Sequence, residues 1–387
     1  MDLILCGDIG GTNTRLLLYR LNRSAPGVLE VGKRAPGEFQ CSGKYMNEKY
    51  NSFDDILYDF ITNNAITGTI AAACFAVAGP VKDNKVQITN RSTWTMVGES
   101  IQTKFNIKNV SIVNDFLAVG YGLLTVNKKN DCVTLQTGNT DTDGKPIACI
   151  GAGTGLGQCY LTATNNDNRF EYTCYPSEGG HAEFSPRNDI EIELLRYLKA
   201  KFNQPNRVSV ERVVSGLGLV NIYEFLCKKY PNDINKKIQE EFDVAGDMQA
   251  AVIASNYKNN VLCKQTMDIF TTAYGAEAGV AALKWLPFGG LYLTGGLTPK
   301  NIELIKSQQF MEAFLDKGRL SNALLAIPIH AVLVDDVGER GAHYIAFNNY
   351  TKEQKKNKSK LEPIEGIMVA VFAGLVAIST YSLWRRR

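Results

Sequence analysis

The stretch Leu3-Ile4-Leu5-Cys6-Gly7-Asp8-Ile9-Gly10-Gly11-Thr12-Asn13, with Arg15–Tyr19 after it, decides the fold. Two apolar runs of strand length flank a glycine-rich turn, which predicts a β-hairpin with a long, glycine-bent loop. Some 140 residues later, Pro146–Ile150 and Gln158–Thr162 flank Gly151-Ala152-Gly153-Thr154-Gly155-Leu156-Gly157 in the same way. Two hairpins of one design point to a duplicated domain. A dinucleotide-binding loop or a Walker loop would lead from a strand into a helix, and neither stretch does.

Between and after the hairpins, strand and helix patterns alternate. Ser52 and Asp55 form a capping-box pattern opening an amphipathic helix through Phe60. Ile70–Ala78 is a continuous apolar run ended by Gly79-Pro80, and Asn109–Val113 is a buried strand ending on Asn114-Asp115. Gln265–Trp285 has helical periodicity and leads into a strand at Gly290–Thr294, followed by Gly295-Gly296. Alternation of this kind predicts α/β layers with mostly covered sheets.

The chain has 387 residues, 45% hydrophobic and 21% charged, enough for two packed cores. Its start shows no basic region and no cleavage site, so export is not expected. The nine cysteines are scattered without a CxxC pair, unlike a disulfide framework or a zinc site. The net charge of +3 is misleading. Residues 351–387 hold eight Lys/Arg against three Asp/Glu, so the remainder is slightly acidic. That argues against a nucleic-acid-binding surface.

The tail is read on its own. Tyr350–Lys360 is polar and Lys-rich, a solvated linker by composition. Ile367–Trp384 carries no charge and would give roughly 27 Å of helix, near the lower limit for a membrane span. Tyr381 and Trp384 suit the headgroup level, and Arg385–Arg387 close the run. The expectation is a C-terminal membrane anchor facing the cytosol. Short span and basic flanks favour a mitochondrial-type outer membrane, with endoplasmic reticulum second.

Candidate chemistry follows from the loops. Glycine lets backbone amides approach phosphate oxygens, which suits Gly10-Gly11-Thr12 and Gly153-Thr154-Gly155. Asp8 would repel phosphate unless a metal came between, so it is a candidate partner of Mg²⁺ through water. The plainer alternative is a pair of tight hairpins. Asp115, at the carboxyl end of a buried strand, could take a proton from an alcohol while Asn114 fixes the same substrate. Position alone favours the other reading, an Asp capping a helix that starts near Leu117. Glu178, His181 and Glu211 suit a ligand with many hydroxyls, although for each taken singly the stronger reading is an ordinary surface Glu or a core histidine satisfied by a backbone carbonyl.

In order, GDIGGTNTRL, TNRSTW, VNDF, GAGTGLG, EGGHAEF, VSVERVVSG, LYLTGG and DDVGERGAH resemble the bacterial-type glucokinase family, within the actin-like sugar-kinase superfamily. The resemblance covers residues 1 to about 348. It implies two RNase-H-like lobes with a cleft that closes on sugar. The lobes would be residues 1–125 with 336–348, and 126–335, followed by a basic linker at 349–366 and the anchor at 367–384.

It implies transfer of phosphate from ATP to the 6-hydroxyl of glucose or a similar hexose, with Asp115 as general base. Asn114, Glu178, His181 and Glu211 would bind the sugar. Asp8, Gly10, Gly11, Thr12, Asn13, Gly153 and Thr154 would face the nucleotide phosphates and Mg²⁺, with Gly295 and Gly296 near the adenosine. A homodimer is implied too. Alternatives are a kinase for another hexose, another phosphate donor, and a membrane-tethered sugar sensor without turnover. The zinc-binding cysteine cluster of the related repressor/kinase group is absent, as is a helix-turn-helix ahead of Leu3, which speaks against a transcription factor. The stretch Asn22–Tyr50 is longer than usual and has no assigned role.

Overall fold

A computed structural model describes residues 2–22, 27–88, 94–166 and 169–357. The chain divides into two compact units. The first takes the described residues of Met1–Leu29, Ala35–Val113 and Ala342–Arg387, and the second takes Glu30–Arg34 and Asn114–Gly341.

Seven strands come first: β1 (Asp2–Ile9), β2 (Asn13–Leu21), β3 (Glu38–Met46), β4 (Thr69–Val77), β5 (Lys85–Gln87), β6 (Thr95–Val97) and β7 (Val110–Asn114). The five-stranded sheet runs β3-β2-β1-β4-β7, with β5 and β6 as a separate pair. β1 is antiparallel to β2 and parallel to β4, which explains its apolar run: a central strand is covered on both faces. β2, by contrast, alternates buried and partly exposed residues. The helix Phe53–Asn63 has the expected capping box, with Asp55 N donating to Ser52 Oγ and Ser52 N donating to Asp55 Oδ2. Its Phe53 and Phe60 pack with Phe75 and Trp94 into one core.

Six strands follow: β8 (Cys132–Gln136), β9 (Ile147–Ala152), β10 (Leu156–Asn166), β11 (Arg169–Ser177), β12 (Gly290–Thr294) and β13 (Ile329–Val332). Their order is β11-β10-β9-β12-β13-β8. An antiparallel meander (β9, β10, β11) is continued on its β9 side by the parallel strands β12 and β13. The first sheet has the same plan, β1, β2 and β3 then β4 and β7, as a duplication predicts. The helix Val261–Trp285 packs on the second core beside Ser307-capped Gln308–Leu315.

Both glycine-rich turns are hairpins, but their loops are short. β1 runs to Ile9 and β2 starts at Asn13, so Gly7 and Asp8 are strand residues. Likewise only Gly153, Thr154 and Gly155 separate β9 from β10. The glycines inside these strands answer close neighbours: a Cβ on Gly7 would lie 2.8 Å from Leu16 Cδ2.

Residues 337–357 form one helix. Composition assigns 350–360 to a solvated linker, and this is corrected as far as residue 357. Tyr350 is buried and donates to Asp2 Oδ2 at 3.0 Å, Asn349 Nδ2 donates to Ser111 Oγ at 2.9 Å, and the following Lys, Glu and Gln residues are good helix formers. The proposed span 367–384 and residues 89–93 of TNRSTW lie outside the described residues.

The helix Asp115–Leu123 meets the start of the helix 337–357 closely, at a glycine from each. A Cβ on Gly122 would meet Val337 O at 1.9 Å, and one on Gly341 would meet Ala118 O at 1.7 Å. Gly122→Ala would gain about 1 kcal/mol of helix propensity. Forcing a methyl into that contact costs typically 1–3 kcal/mol or more. The clash wins, so chemical denaturation should show Gly122→Ala to be less stable than the natural chain.

Candidate active site

The site residues of the second unit are built around the β9–β10 hairpin. The ring of Phe116 lies against it so closely that a Cβ on Gly157 would be 1.9 Å from Phe116 Cε2, and one on Gly151 2.8 Å from Phe116 Cζ. Phe116 belongs to the first turn of the helix Asp115–Leu123, so this contact seats Asn114 and Asp115 beside the hairpin.

Asn114 is the helix cap: its Oδ1 accepts from Phe116 N at 2.9 Å and from Leu117 N at 3.3 Å. Asp115 is therefore the first helical residue and not the cap that its position alone suggested. Its Oδ1 accepts from Phe116 N at 2.9 Å. Burial pushes the Asp115 carboxyl above its ordinary value; the Phe116 amide opposes that, the negative Glu178 adds to it, and Asn114 opposes it in turn. A partly buried carboxylate of raised pKa at a strand end is suited to accept a proton.

Glu178 precedes the short turn Gly179–His181 after β11, and His181 is its last residue. Both are open to solvent, at 78% and 59% for Glu178 and His181 side chains, and His181 Nε2 lies 3.8 Å from Glu178 Oε2. The turn is tied down from below. Gly180 sits where a Cβ would be 1.9 Å from Leu156 O, and Val210 N donates to Ala182 O at 2.8 Å. Glu211 follows Val210 in the turn Val210–Arg212, and its Oε2 accepts from Leu156 N at 2.9 Å. Its carboxylate fills the space beside Gly155, where a Cβ would be 2.5 Å from Glu211 Oε2. Glu211 is thus a support of the hairpin as well as a sugar-contact candidate.

The phosphate-loop candidates behave differently from their glycine neighbours. Gly153 has nothing within 4 Å of a Cβ position, and its own carbonyl accepts from Gly216 N at 2.8 Å. After β12, Gly295 has φ +82° and no room for a side chain, with Ala152 O at 2.3 Å from a Cβ. Gly296 is open. The second unit therefore gathers Asn114, Asp115, Glu178, His181, Glu211, Gly153, Thr154, Gly295 and Gly296 on strand ends and adjoining turns.

In the first unit, Asp8 pairs across β1–β2 with Arg15 in register, and Gly10 N donates to Asn13 O at 3.0 Å, closing the turn at Gly10, Gly11 and Thr12. Two buried groups went unforeseen. Gln158 Nε2 donates to Glu277 Oε1 at 2.8 Å, and Gln158 Oε1 occupies the space where a Cβ on Gly179 would be 2.0 Å away. Burial raises the Glu277 carboxyl while Gln158 lowers it. The partners are 119 residues apart, so no local spacing announces them. Phe116, in contrast, stands inside VNDF, directly after Asp115, so its signal is local.

A glucokinase family model matches residues 5–349. A glucokinase of Synechocystis sp. is 40% identical over 355 residues, covering 87% of this chain and 96% of that protein. The crystal structure of a glucokinase from an Antarctic psychrotroph superposes with a TM-score of 0.69 at 26% identity, covering 90% of this chain and 99% of that one. A Balamuthia mandrillaris glucokinase solved with glucose shares the fold, with a TM-score of 0.70 at 20% identity over 89% of this chain and 93% of that one.

These relatives correct the address expected of the tail. The similar proteins are glucokinases of bacteria such as Synechocystis sp., Nostoc sp. and Yersinia enterocolitica, and they lend no support to an organelle address. Among the described residues no helix is long and apolar enough to cross a membrane. The expected placement in an organelle membrane is thus not supported. With α/β units like those of sugar kinases and a match running through nearly all of the described residues, this chain belongs to the glucokinase family.

Proposed function

We propose that this chain transfers the terminal phosphoryl group of ATP to the 6-hydroxyl of glucose, giving glucose 6-phosphate and ADP, with Asp115 as the general base. The observation that carries the reading is Asp115 itself. It is partly buried at a strand end, its pKa is raised, and Asn114 has taken over the helix cap. The Asp115 carboxylate accepts the hydroxyl proton as the sugar oxygen bonds to phosphorus. The bond from that phosphorus to the bridging oxygen breaks, and ADP leaves with the electron pair.

Sugar contacts are assigned to Asn114, Glu178, His181 and Glu211. A carboxylate offers about four acceptor positions, so the Leu156 amide leaves Glu211 capacity for a hydroxyl. A missing hydroxyl opposite such a group should lower specificity by up to ~10⁴-fold. Phosphate contacts are assigned to Gly10, Gly11, Thr12, Asn13, Gly153 and Thr154, and adenosine contacts to Gly295 and Gly296. Among the described residues no group of three or more His, Cys, Asp or Glu is placed to hold a metal ion. Mg²⁺ keeps several waters and is commonly bound through nucleotide phosphates and one or two carboxylates. Asp8 would meet it through water, and the cation would neutralise charge on the phosphate oxygens. On the resemblance we also take the working form to be a homodimer.

The test is ADP release by the full chain with MgATP and a panel of hexoses. Rapid release with glucose is expected; release only with another hexose, or none at all, would overturn the reading. Asp115→Ala should lower kcat by about 10²-fold or more with its thermal midpoint near that of the natural chain. Unchanged turnover would remove Asp115 as base.

A pH profile adds a second check. Glu178 raises the Asp115 pKa, so Glu178→Gln should lower it. The carboxylate form is the active one, so activity falls as pH drops through that pKa. The acid limb of kcat/KM should therefore move to lower pH in Glu178→Gln. A limb that stays or moves up would separate Glu178 from the base.

A further inference from the structure

We infer that Asn47, from the stretch to which the sequence assigns no role, is the positioning residue that turns the Gly10–Asn13 loop toward phosphate. The inference rests on the reading that this loop faces the nucleotide. Asn47 begins the short turn Asn47–Lys49 after β3 and is 1% exposed. Its Nδ2 donates to Gly10 O at 2.8 Å and to Gly11 O at 3.3 Å. Its backbone N donates to Thr12 O at 2.8 Å. Three successive carbonyls of the loop thus point at one residue. Thr14 Oγ1 donates to Asn47 Oδ1 at 2.8 Å, which sets the amide with its nitrogen toward the loop.

The consequence follows from the peptide plane. In a trans peptide the carbonyl of one residue and the N–H of the next point in opposite directions. The described chain has no cis peptide bond. Carbonyls 10, 11 and 12 held toward Asn47 turn the N–H groups of Gly11, Thr12 and Asn13 the other way. Such a run of amides is a concave anion site. The same bonds keep three carbonyl oxygens, which would repel phosphate, on the far side.

The experiment compares the natural chain with Asn47→Asp, which keeps the size and the acceptor for Thr14 but replaces the donor facing Gly10 and Gly11 by an oxygen. KM for MgATP should rise tenfold or more, with KM for glucose within twofold. A merely structural role would lower the thermal midpoint and leave KM for MgATP within twofold, and that result overturns the inference. Asn47→Ser keeps one short donor and should raise KM for MgATP by less; an equal or larger rise counts against it.

Amide hydrogen exchange on the natural chain decides the matter if neither variant folds. Adding MgADP should protect the amides of Gly11, Thr12 and Asn13, and unchanged exchange there would overturn the inference. This arm needs no sugar. A chain that phosphorylates no hexose but shows this protection would lose the kinase reading and keep the role of Asn47.

Discussion

The site in the second unit depends on one contact, the ring of Phe116 pressed onto the backbone of the β9–β10 hairpin at Gly151 and Gly157. Any side chain at Gly157 would occupy the ring's volume. The ring in turn can lie there only because the helix begins at Asp115 and carries Phe116 in its first turn. Interiors are packed at crystal-like density, so such a contact fixes position to a fraction of an ångström. Asp115 inherits its place from its neighbour's packing. The hairpin is also braced by Glu211 on the Leu156 amide and by Gly180 against Leu156 O. Asp115, the hairpin and the Gly179–His181 turn form one connected body within the unit.

That arrangement also orders the electrostatics. Two influences raise the Asp115 pKa, burial first and Glu178 well behind it. Glu178 is largely exposed, and a charge in water is screened. Burial is thus the main device, and it is produced by the same packing that places the carboxylate. The amides of the helix start work the other way by favouring the charged form. The general base proposed at Asp115 would need both: enough desolvation to hold a proton, and enough hydrogen bonding to remain ionised before it takes one. Asn114 contributes by accepting from Phe116 and Leu117, which leaves the Asp115 side chain less engaged with the helix end.

Much of this was legible in the sequence because the deciding signals are local. The hairpin flanks, the Ser52–Asp55 box, the buried strand before Asn114 and the strand before Gly295 all follow from residue type and short spacing. The errors have equally physical causes. The glycine-rich stretches looked like long loops because glycine weakens a strand. Gly7, Gly151 and Gly157 are nevertheless strand residues, since neighbouring side chains fill the space that a Cβ would need. The Lys-rich run after Tyr350 looked like a linker by composition, yet Tyr350 is tied to Asp2, 348 residues away in sequence, and the helix continues past it. Asn47 gave no signal at all. Its meaning lies in three carbonyls some 35 residues earlier, and an asparagine at the end of a strand is an unremarkable turn residue until those partners are known.

The glycines of the two hairpins make the same point in finer grain. A motif such as Gly151–Gly157 presents its four glycines as equals, whereas the structure gives them two kinds of work. Gly151, Gly155 and Gly157 are crowded, by Thr294 and Phe116, by Glu211, and by Phe116 again. There, the missing side chain admits a protein neighbour. Gly153 has open space instead, as does Gly296 after β12. A glycine carries an entropic cost of roughly 0.5–1 kcal/mol relative to alanine within a regular element, and at a crowded position packing offsets it. At Gly153 and Gly296 no neighbour within the protein does so. Bare backbone facing open space at the ends of two adjacent strands is what a polyanion needs in order to reach the amides. The proposed nucleotide contacts at Gly153 and Gly296 thus fall on the open glycines and not on the crowded ones that complete the motif.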